Sequence, residues 1–290
     1  MALKINKEGV IVVNQKDFDS KKAKMLEAGK VKLHILADFD RTLTKAFVNG
    51  ESTPSVISEL RKGDYISKEY AKKAQELADK YHPIEVDPNL SVEKKKKAMN
   101  EWWTKHFGLL IESGLNKRHI QQIIDKGKIQ FRNGASEFLD LLYKNNIPLI
   151  IISSSGLGGD SIEMFLEKEG KRYSNIDIIS NNYIWDENGN ARGVKKPIIH
   201  VMNKDETVLR DYSFFENIKH RKNVILLGDS LGDIGMIEGF DYQNLIKIGF
   251  LNEDPEKQIA GYKKVFDVII IHDGNFEFVN NLIKEFLKIK

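Results

Sequence analysis

The sequence alternates between short apolar runs and longer amphipathic stretches over most of its length. Most of the runs are separated by segments with the 3.6-residue period of a helix, such as 135–143 and 160–169. Strands that alternate with helices predict a parallel β-sheet covered on both faces. We therefore predict an α/β fold built around a parallel sheet. The six runs, rich in β-branched residues, are 32–37, 147–152, 176–180, 223–227, 245–249 and 268–271.

The pattern changes between about residue 47 and residue 127. Here long amphipathic helices are predicted at 67–80, 92–107 and 117–126, with no convincing strand. This block interrupts the alternation just after the first strand, so we interpret it as an inserted helical cap.

The predicted division of the chain follows from that interruption. We predict that residues 1–47 and 128–290 form the α/β core and that residues 48–127 form the cap. A cap inserted at this point of the chain can close over a ligand bound at the sheet.

The composition is that of an ordinary soluble protein and excludes several classes of site. Of the 290 residues, 41% are hydrophobic and 30% are charged, and 6 prolines argue against long disordered linkers. The absence of cysteine excludes disulfides and thiolate chemistry. No run reaches the ~18 apolar residues of a membrane span, and the first residues lack the apolar stretch of a signal peptide. We expect a cytoplasmic protein with no membrane partner.

The charge of the chain does not indicate a nucleic-acid partner. The formal net charge is only +3, and the most basic run is Lys94–Lys97. With Val92, Ala98 and Trp102 as apolar neighbours, this run is typical of the solvent face of a helix. We therefore expect no nucleic-acid partner.

Polar side chains follow three of the apolar runs at the point where each run ends. Asp38 and Asp40 are two residues apart, and side chains in a strand alternate, so these two carboxylates face the same way. Ligands of open parallel sheets bind at the carboxyl ends of the strands, so we expect these groups to meet at one edge. Ser153, Ser154 and Ser155 follow the run 147–152, Asp229 and Asp233 in "GDSLGD" follow the run 223–227, and Lys204 in "HVMNKDE" lies between these two motifs.

The chemistry of that group is suited to phosphate. Several carboxylates at one rim repel each other, so a cation must offset them. Oxygen ligands without cysteine favour a hard ion, and partly hydrated Mg²⁺ fits. Mg²⁺ with lysine and serine donors is a phosphate-binding set. One aspartate could then attack phosphorus while the other handles the proton of the leaving group.

The order of these motifs resembles the haloacid-dehalogenase-like phosphohydrolases, whose fold is a Rossmann-like parallel sheet core with an inserted cap. From about Lys22 onwards the sequence is also similar to the cytosolic type III (pyrimidine) 5'-nucleotidases, which hydrolyse pyrimidine nucleoside monophosphates with Mg²⁺; one branch also takes 7-methylguanosine monophosphate. The segments that carry this resemblance include "DFDRTLT", "HPIEVDP", "EWWTKHFGLL", "NNIPLIIISSSG", "VILLGDSLGDIGM" and "LIKIGFLNE".

The resemblance implies roles for the residues at the sheet edge. Asp38 matches the nucleophile that becomes an aspartyl-phosphate, and Asp40 matches the acid that protonates O5' and later activates water. Ser153 and Lys204 match the groups that bind the phosphoryl oxygens. The Mg²⁺ ligands would be Asp38, the backbone carbonyl of Asp40, and Asp229, with Asp233 in support.

For two of these assignments the sequence also allows a second interpretation. Counting from Pro148 along the strand selects Ser153 as the phosphate ligand, whereas counting back from Gly156 selects Ser154. Asp229 and Asp233 could also cap a helix that begins near Leu231.

The resemblance also assigns substrate-binding residues in the cap. Glu85 matches the carboxylate that binds the nucleobase, although its place before Asp87 in a predicted turn also suits a solvated loop residue. His106 falls where the family has a small residue that lines the substrate site. Trp102 and Trp103 cannot face the same way on one helix, so we expect one in the core and Trp103 stacked on the base.

We therefore expect a monomeric, Mg²⁺-dependent 5'-nucleotidase acting on small nucleoside monophosphates. Two alternatives stay open. The first is a phosphatase of the same fold for another phosphoester such as phosphoserine. The second is a non-catalytic phosphate-binding module that uses the same aspartate, serine and lysine side chains. The sequence leaves the preferred base and any transfer of phosphate to other nucleosides undetermined.

Overall fold

A computed structural model describes residues 9–53, 55–87, 89–204, 212, 214–238 and 241–288. Its centre is a seven-stranded sheet. The strands are β1 (Val10–Val12), β2 (Leu33–Ala37), β5 (Leu149–Ile152), β6 (Ile176–Ile179), β9 (Asn223–Gly228), β10 (Asn244–Leu251) and β11 (Val268–Ile271). Their order in the sheet is β1-β11-β10-β9-β2-β5-β6. All neighbouring strands are parallel except β1, which pairs antiparallel with β11.

The α/β fold and the six predicted strands are confirmed. Every residue of β2, β5, β9 and β11 is buried, as expected for parallel strands covered on both faces. The strand β1 was not predicted, because three apolar residues at the edge of a sheet are too short to show a period.

Alternating side chains of the central strands pack into two separate apolar layers. Ile35 and Ile151 belong to one layer, and their neighbours Leu36 and Ile150 belong to the other. The first layer is covered by α1 (Gln15–Ala28), α6 (Ala135–Lys144), α7 (Gly158–Lys168) and α10 (Glu277–Leu287). The second is covered by α8 (Phe215–Ile218), α9 (Pro255–Val265) and a 3-10 helix at Leu231–Ile237.

Four helices lie between β2 and α6, where the cap was predicted. They are α2 (Val56–Lys62), α3 (Lys68–Val86), α4 (Val92–Glu112) and α5 (Lys117–Asp125). The side chains of Ser67 and Ser91 accept hydrogen bonds from the first turns of α3 and α4, which is why these helices begin there. The expectation that this block holds no strand is wrong, since a short hairpin, β3 (Phe47–Val48) and β4 (Glu51–Ser52), precedes α2. The boundaries of core and cap stay a proposal.

The helix α3 extends further than predicted and changes the setting of Glu85. A proline inside a helix lacks an N–H donor and crowds the preceding turn, which disfavours a helix that runs past Pro83. In the structure α3 continues past Pro83, and Glu85 lies in its last turn. Tyr81 and Ile84 pack against α4 in a separate apolar cluster, which stabilises this extension. Pro88 lies outside the described residues.

A second hairpin, β7 (Tyr183–Trp185) and β8 (Ala191–Val194), extends from the core to the cap helices. The backbone N–H of Ala191 donates to the carbonyl of Leu115 at 2.8 Å. The Tyr183 ring packs edge-on against Phe107 of α4. The hairpin therefore holds the cap and the core together. Within the described part of the chain, none of the helices has the length and apolar character needed to cross a bilayer.

Candidate active site

The carboxyl ends of β2 and β9 bring two of the predicted aspartates together. Ala37 lies opposite Leu227, so Asp38 and Asp229 follow at the ends of neighbouring strands. The Asp38 N–H donates to the carbonyl of Leu227 at 3.0 Å. Asp38, Asp229 and Asp233 each offer a carboxylate oxygen, and these atoms all lie within 4.8 Å of one another. This carboxylate cluster joins three of the four aspartates that the sequence predicts at the sheet edge; Asp40 is not among them, because β2 ends at Ala37 and the alternation of a strand does not reach Asp40.

The GDSLGD loop folds back on the carboxylate of Asp233. Its Oδ2 accepts hydrogen bonds from the backbone N–H groups of Asp229 at 3.0 Å and Ser230 at 2.9 Å. A Cβ on Gly228 would lie 2.5 Å from the Cβ of Asp233, so this position requires glycine. Asp233 therefore does cap the 3-10 turn, and its other oxygen, Oδ1, contacts Lys204.

Lys204 lies inside the carboxylate cluster. Its Nζ donates to Asp38 Oδ1 at 2.6 Å and to Asp233 Oδ1 at 2.7 Å, and its side chain is only 3% exposed. Burial acts to lower the pKa of Lys204, but Asp233 and Asp38 outweigh it and raise the pKa above the usual range. Lys204 is thus a permanent cation among three carboxylates.

The cluster carries more acidic groups than one ammonium can balance. Burial raises the pKa of Asp38 to about 7, with Asp233 and Asp40 adding to the effect and Lys204 opposing it. Burial also raises the pKa of Asp229 well above its usual value. Such shifts indicate that the ionised forms need further positive charge. The donors are all oxygen, which fits a hard divalent cation.

Asp40 lies beside the cluster on an irregular turn at Phe39–Leu43, where Arg41 has a φ of 61°. Burial raises the pKa of Asp40 to about 6, although Lys204 and Arg41 favour the charged form. A carboxyl with a pKa in this range can both donate and accept a proton near neutral pH.

The serines after β5 lie at the same edge of the sheet, since β5 pairs with β2. Ser153 is buried. Its backbone N–H donates to the carbonyl of Ile179 at 3.0 Å, and its Oγ accepts from the backbone N–H of Ser155 at 3.2 Å. Ser154 is half-buried. The choice between Ser153 and Ser154 as phosphate ligand stays open.

The cap contains a cavity of about 530 Å³ lined by the three predicted substrate-binding residues, Glu85, Trp103 and His106. The Trp103 ring stacks against His106 with ring centroids 5.6 Å apart. The expectation that Trp102 and Trp103 face different ways is wrong: Trp102 is buried, but its ring stacks against both Tyr81 and Trp103, and both tryptophans line the cavity. His106 is buried, and its Nε2 lies 3.2 Å from the hydroxyl of Tyr70. Other polar side chains in the wall include those of Arg61, Gln75 and Asp79.

The cavity wall and the serine loop are in contact. A Cβ placed on Gly156 would lie 2.6 Å from the Trp103 ring and 2.9 Å from Ile57. The hydroxyl of Tyr183 also donates to the carbonyl of Gly156 at 2.7 Å. Cap residues therefore touch the loop that begins at Ser153.

Asn181 was missed in the sequence, although it follows β6 at the same edge of the sheet. Its Nδ2 donates to the carbonyls of Ser155 at 3.1 Å and Ile199 at 3.0 Å. Its Oδ1 accepts from the N–H of Ile199 at 2.9 Å. Asn181 therefore joins the serine loop to the segment that leads to Lys204. Its position at a strand end was the signal that could have found it.

Arg132 was also missed, and no sequence pattern marks it. The side chain is 1% exposed and donates to the carbonyls of Thr42 and Gly274, both at 2.9 Å. It also forms an ion pair with Asp273 at 2.7 Å. It fixes the turn after Asp40 to the loop after β11. Arginines are mostly exposed, so a fully buried one is not expected from sequence.

A family model described as Pyrimidine 5'-nucleotidase (UMPH-1) matches residues 41–287. The chain belongs to this pyrimidine 5'-nucleotidase family. Asp38 and Asp40 precede the matched range, but longer alignments to relatives span nearly the whole chain. The 7-methylguanosine phosphate-specific 5'-nucleotidase A of Xenopus laevis is 34% identical over 281 residues, covering 97% of this chain and 96% of the relative. The 7-methylguanosine phosphate-specific 5'-nucleotidase of Homo sapiens is 36% identical over 262 residues, covering 90% and 87%.

Solved structures place this pyrimidine 5'-nucleotidase family member in the haloacid-dehalogenase-like fold. Cytosolic 5'-nucleotidase IIIB bound to cytidine has a TM-score of 0.89 and 26% identity, covering 98% of this chain and 95% of that one. A phospho-aspartyl intermediate analogue of phosphoserine phosphatase has a TM-score of 0.51 and 20% identity, covering 89% and 98%. The second likeness shows the fold alone. The predicted family, the predicted fold and the enzyme class, a phosphoric monoester hydrolase, are confirmed.

Proposed function

We propose that this enzyme is a Mg²⁺-dependent 5'-nucleotidase that releases phosphate from pyrimidine and 7-methylguanosine 5'-monophosphates. The observation that carries the proposal is the contact between Trp103 and Gly156. It joins a base-sized aromatic cavity in the cap to the serine loop at the sheet edge. A nucleoside monophosphate has the same two parts, a flat base and a phosphate.

Asp38, Asp229 and the backbone carbonyl of Asp40 would hold Mg²⁺, with Asp233 in support. Two buried carboxylates and one half-buried carboxylate against one ammonium suit a divalent ion of this kind. When bound, Mg²⁺ supplies positive charge that neutralises the phosphate oxygens and lowers the pKa of the surrounding carboxyls.

Asp38 is proposed as the nucleophile. One of its carboxylate oxygens forms a bond to phosphorus as the bond from phosphorus to O5' breaks, and Asp40 delivers a proton to O5'. Asp40, now a carboxylate, takes a proton from water as the water oxygen attacks phosphorus. That second displacement releases phosphate and restores Asp38. The pKa of about 6 at Asp40 suits both proton transfers.

Lys204 and a serine of the loop bind the phosphoryl oxygens in this proposal. The Nζ of Lys204 lies 2.6 Å from Oδ1 of Asp38, so it can stabilise the negative charge that develops on the transferred phosphoryl group. Ser153 is preferred to Ser154 because it directly follows the last residue of β5.

The cap cavity is proposed to bind the base. The Trp103 ring offers a stacking surface, and Glu85 offers a carboxylate to the amino or imino N–H groups of a base. The names of the relatives and of the cytidine complex support 7-methylguanosine and pyrimidine substrates. We also propose a cytosolic location, consistent with those names, and a monomeric enzyme.

The proposal is tested by phosphate release from CMP, UMP, 7-methyl-GMP, AMP and phosphoserine, each with Mg²⁺ and with excess EDTA. We expect Mg²⁺-dependent release from CMP, UMP or 7-methyl-GMP, and the Asp38→Asn variant should release none. Release from phosphoserine alone would keep the phosphatase chemistry and contradict the nucleotide substrate. Release from none of the five would favour the phosphate-binding module.

A further inference from the structure

The cap cavity contains a cation that the proposed base binding does not use. Arg61 lies near the end of α2, and its half-buried side chain lines the cavity together with Asp79 and Glu85. Among the described residues that line this cavity, Arg61 is the only arginine or lysine. His106, the buried histidine of the wall, is uncharged at neutral pH because burial lowers its pKa to about 4.

The guanidinium of Arg61 has few protein partners. Its Nη2 lies 3.5 Å from Ser58 Oγ, at the limit of a hydrogen bond, and its buried Nε has no partner. In the described part of the chain no carboxylate forms an ion pair with it. A guanidinium has five N–H donors, so most of them are available to a ligand.

The carboxylates of the cavity are already engaged with neighbours on their own helix. Glu85 Oε2 lies 2.9 Å from His82 Nδ1, and Asp79 Oδ1 accepts from Gln75 at 2.6 Å. They can still attract a positively charged base. Arg61 opposes that attraction, because its positive charge repels a positively charged base.

The candidate bases differ in this respect. The ring of 7-methylguanine carries a delocalised positive charge, whereas cytosine and uracil are neutral. Each base has a carbonyl acceptor, at C6 of 7-methylguanine and at C2 of cytosine and uracil, so the charge of the ring is what differs. A guanidinium donates to such a carbonyl and repels a cationic ring.

We propose that Arg61 is a specificity-determining residue that favours neutral pyrimidine nucleotides over 7-methylguanosine monophosphate. The inference rests on the proposed nucleotidase function and deepens it. The names of most relatives would suggest the opposite order of substrates. The preference argued from Arg61 and the preference suggested by those names can therefore be distinguished by experiment.

The test compares kcat/KM for CMP and for 7-methyl-GMP in the wild type and three variants. Arg61→Gln removes the charge and keeps a donor, and Arg61→Lys keeps the charge. The matched control is Lys62→Gln, which removes a charge from the next residue of α2; Lys62 lines a different cavity. The ratio of the two kcat/KM values is unaffected by partial misfolding, since inactive enzyme lowers both equally.

We expect the wild type to prefer CMP, and Arg61→Gln to lower the CMP to 7-methyl-GMP ratio at least about tenfold. Arg61→Lys should stay within about threefold of the wild type, and Lys62→Gln within about twofold. A wild type that prefers 7-methyl-GMP, or an Arg61→Gln ratio that moves less than about twofold, would overturn the inference. A wild type inactive on both nucleotides would instead contradict the proposed function.

Discussion

The Nζ of Lys204 lies 2.6 Å from Oδ1 of Asp38, although 166 residues separate them in the chain. Both side chains are buried, with 3% and 8% of their surfaces exposed. Two opposite charges in such a place stabilise each other only as long as both are present, because each has lost its water.

Replacing Lys204 should therefore destabilise the apo enzyme. Without its ammonium, Asp38 and Asp233 would face each other unpaired, so we expect Lys204→Met to lower the free energy of unfolding by about 3 kcal/mol in EDTA. The loss should be smaller with Mg²⁺. Urea denaturation in both conditions measures this. The control is Lys219→Met, which breaks an exposed pair with Glu216 and should cost under about 1 kcal/mol. Equal losses in the two variants would contradict the prediction.

Asp40→Asn should abolish most turnover while leaving the fold intact. A general acid or base contributes about 10²- to 10⁴-fold, so kcat should fall by at least about 100-fold. The measurements are kcat for the preferred nucleotide and the thermal midpoint, with the exposed Asp64→Asn as control. Nearly full activity in Asp40→Asn would mean that another group transfers the proton.

Gly156→Ala should weaken the contact between the cap and the serine loop. The added Cβ would lie 2.6 Å from the Trp103 ring, so the ring or the cap must move. Such overpacking costs about 1 to 3 kcal/mol, and KM for nucleotides should rise more than KM for ribose 5-phosphate, which has no base. Gly108→Ala in α4 is the control, since nothing lies within 4 Å of its Cβ. An equal rise for both substrates would rule out a role in base binding.

Asn181→Asp should impair the site through the segments that Asn181 joins. The carboxylate keeps the acceptor for the N–H of Ile199 but loses the donor to the carbonyls of Ser155 and Ile199. Leaving these groups unpaired costs about 1 to 3 kcal/mol, and we expect kcat to fall as the serine loop shifts relative to Lys204. The neighbouring, exposed Asn182→Asp is the control. If only stability changed and kcat stayed constant, Asn181 would be structural without positioning the site.

The buried His34 should make stability depend on pH. Burial lowers the pKa of His34 to about 4 from 6.5, so the unfolded chain binds a proton that the folded chain does not. The contribution of neutral His34 to the free energy of unfolding is therefore fully present above pH 6.5. It decreases as the pH falls toward 4, at up to about 1.4 kcal/mol per pH unit. The slope of unfolding free energy between pH 4.5 and 6.5 should be lower in His34→Gln than in the wild type. Identical slopes would show that His34 does not titrate in this way.

The sequence by itself determined the α/β class, the six central strands and the residues at their ends. The strands were predictable because burial on both faces requires continuous apolar runs, and Asp38, Asp229 and the serines follow those runs directly. Three of the four cap helices, α3, α4 and α5, were predictable from their 3.6-residue period, which depends only on local spacing, whereas the seven-residue α2 was not predicted.

Tertiary structure alone decided the contacts between distant segments. The burial of Arg132 and the bridge made by Asn181 depend on which loops meet, and no local spacing encodes that. Glu85 lies on a helix because α3 packs against α4 strongly enough to continue past Pro83, which overrides the local signal for a turn. Arg61 lines the cap cavity for a related reason: the other walls of the cavity come from α3 and α4, which approach Arg61 only in the folded chain.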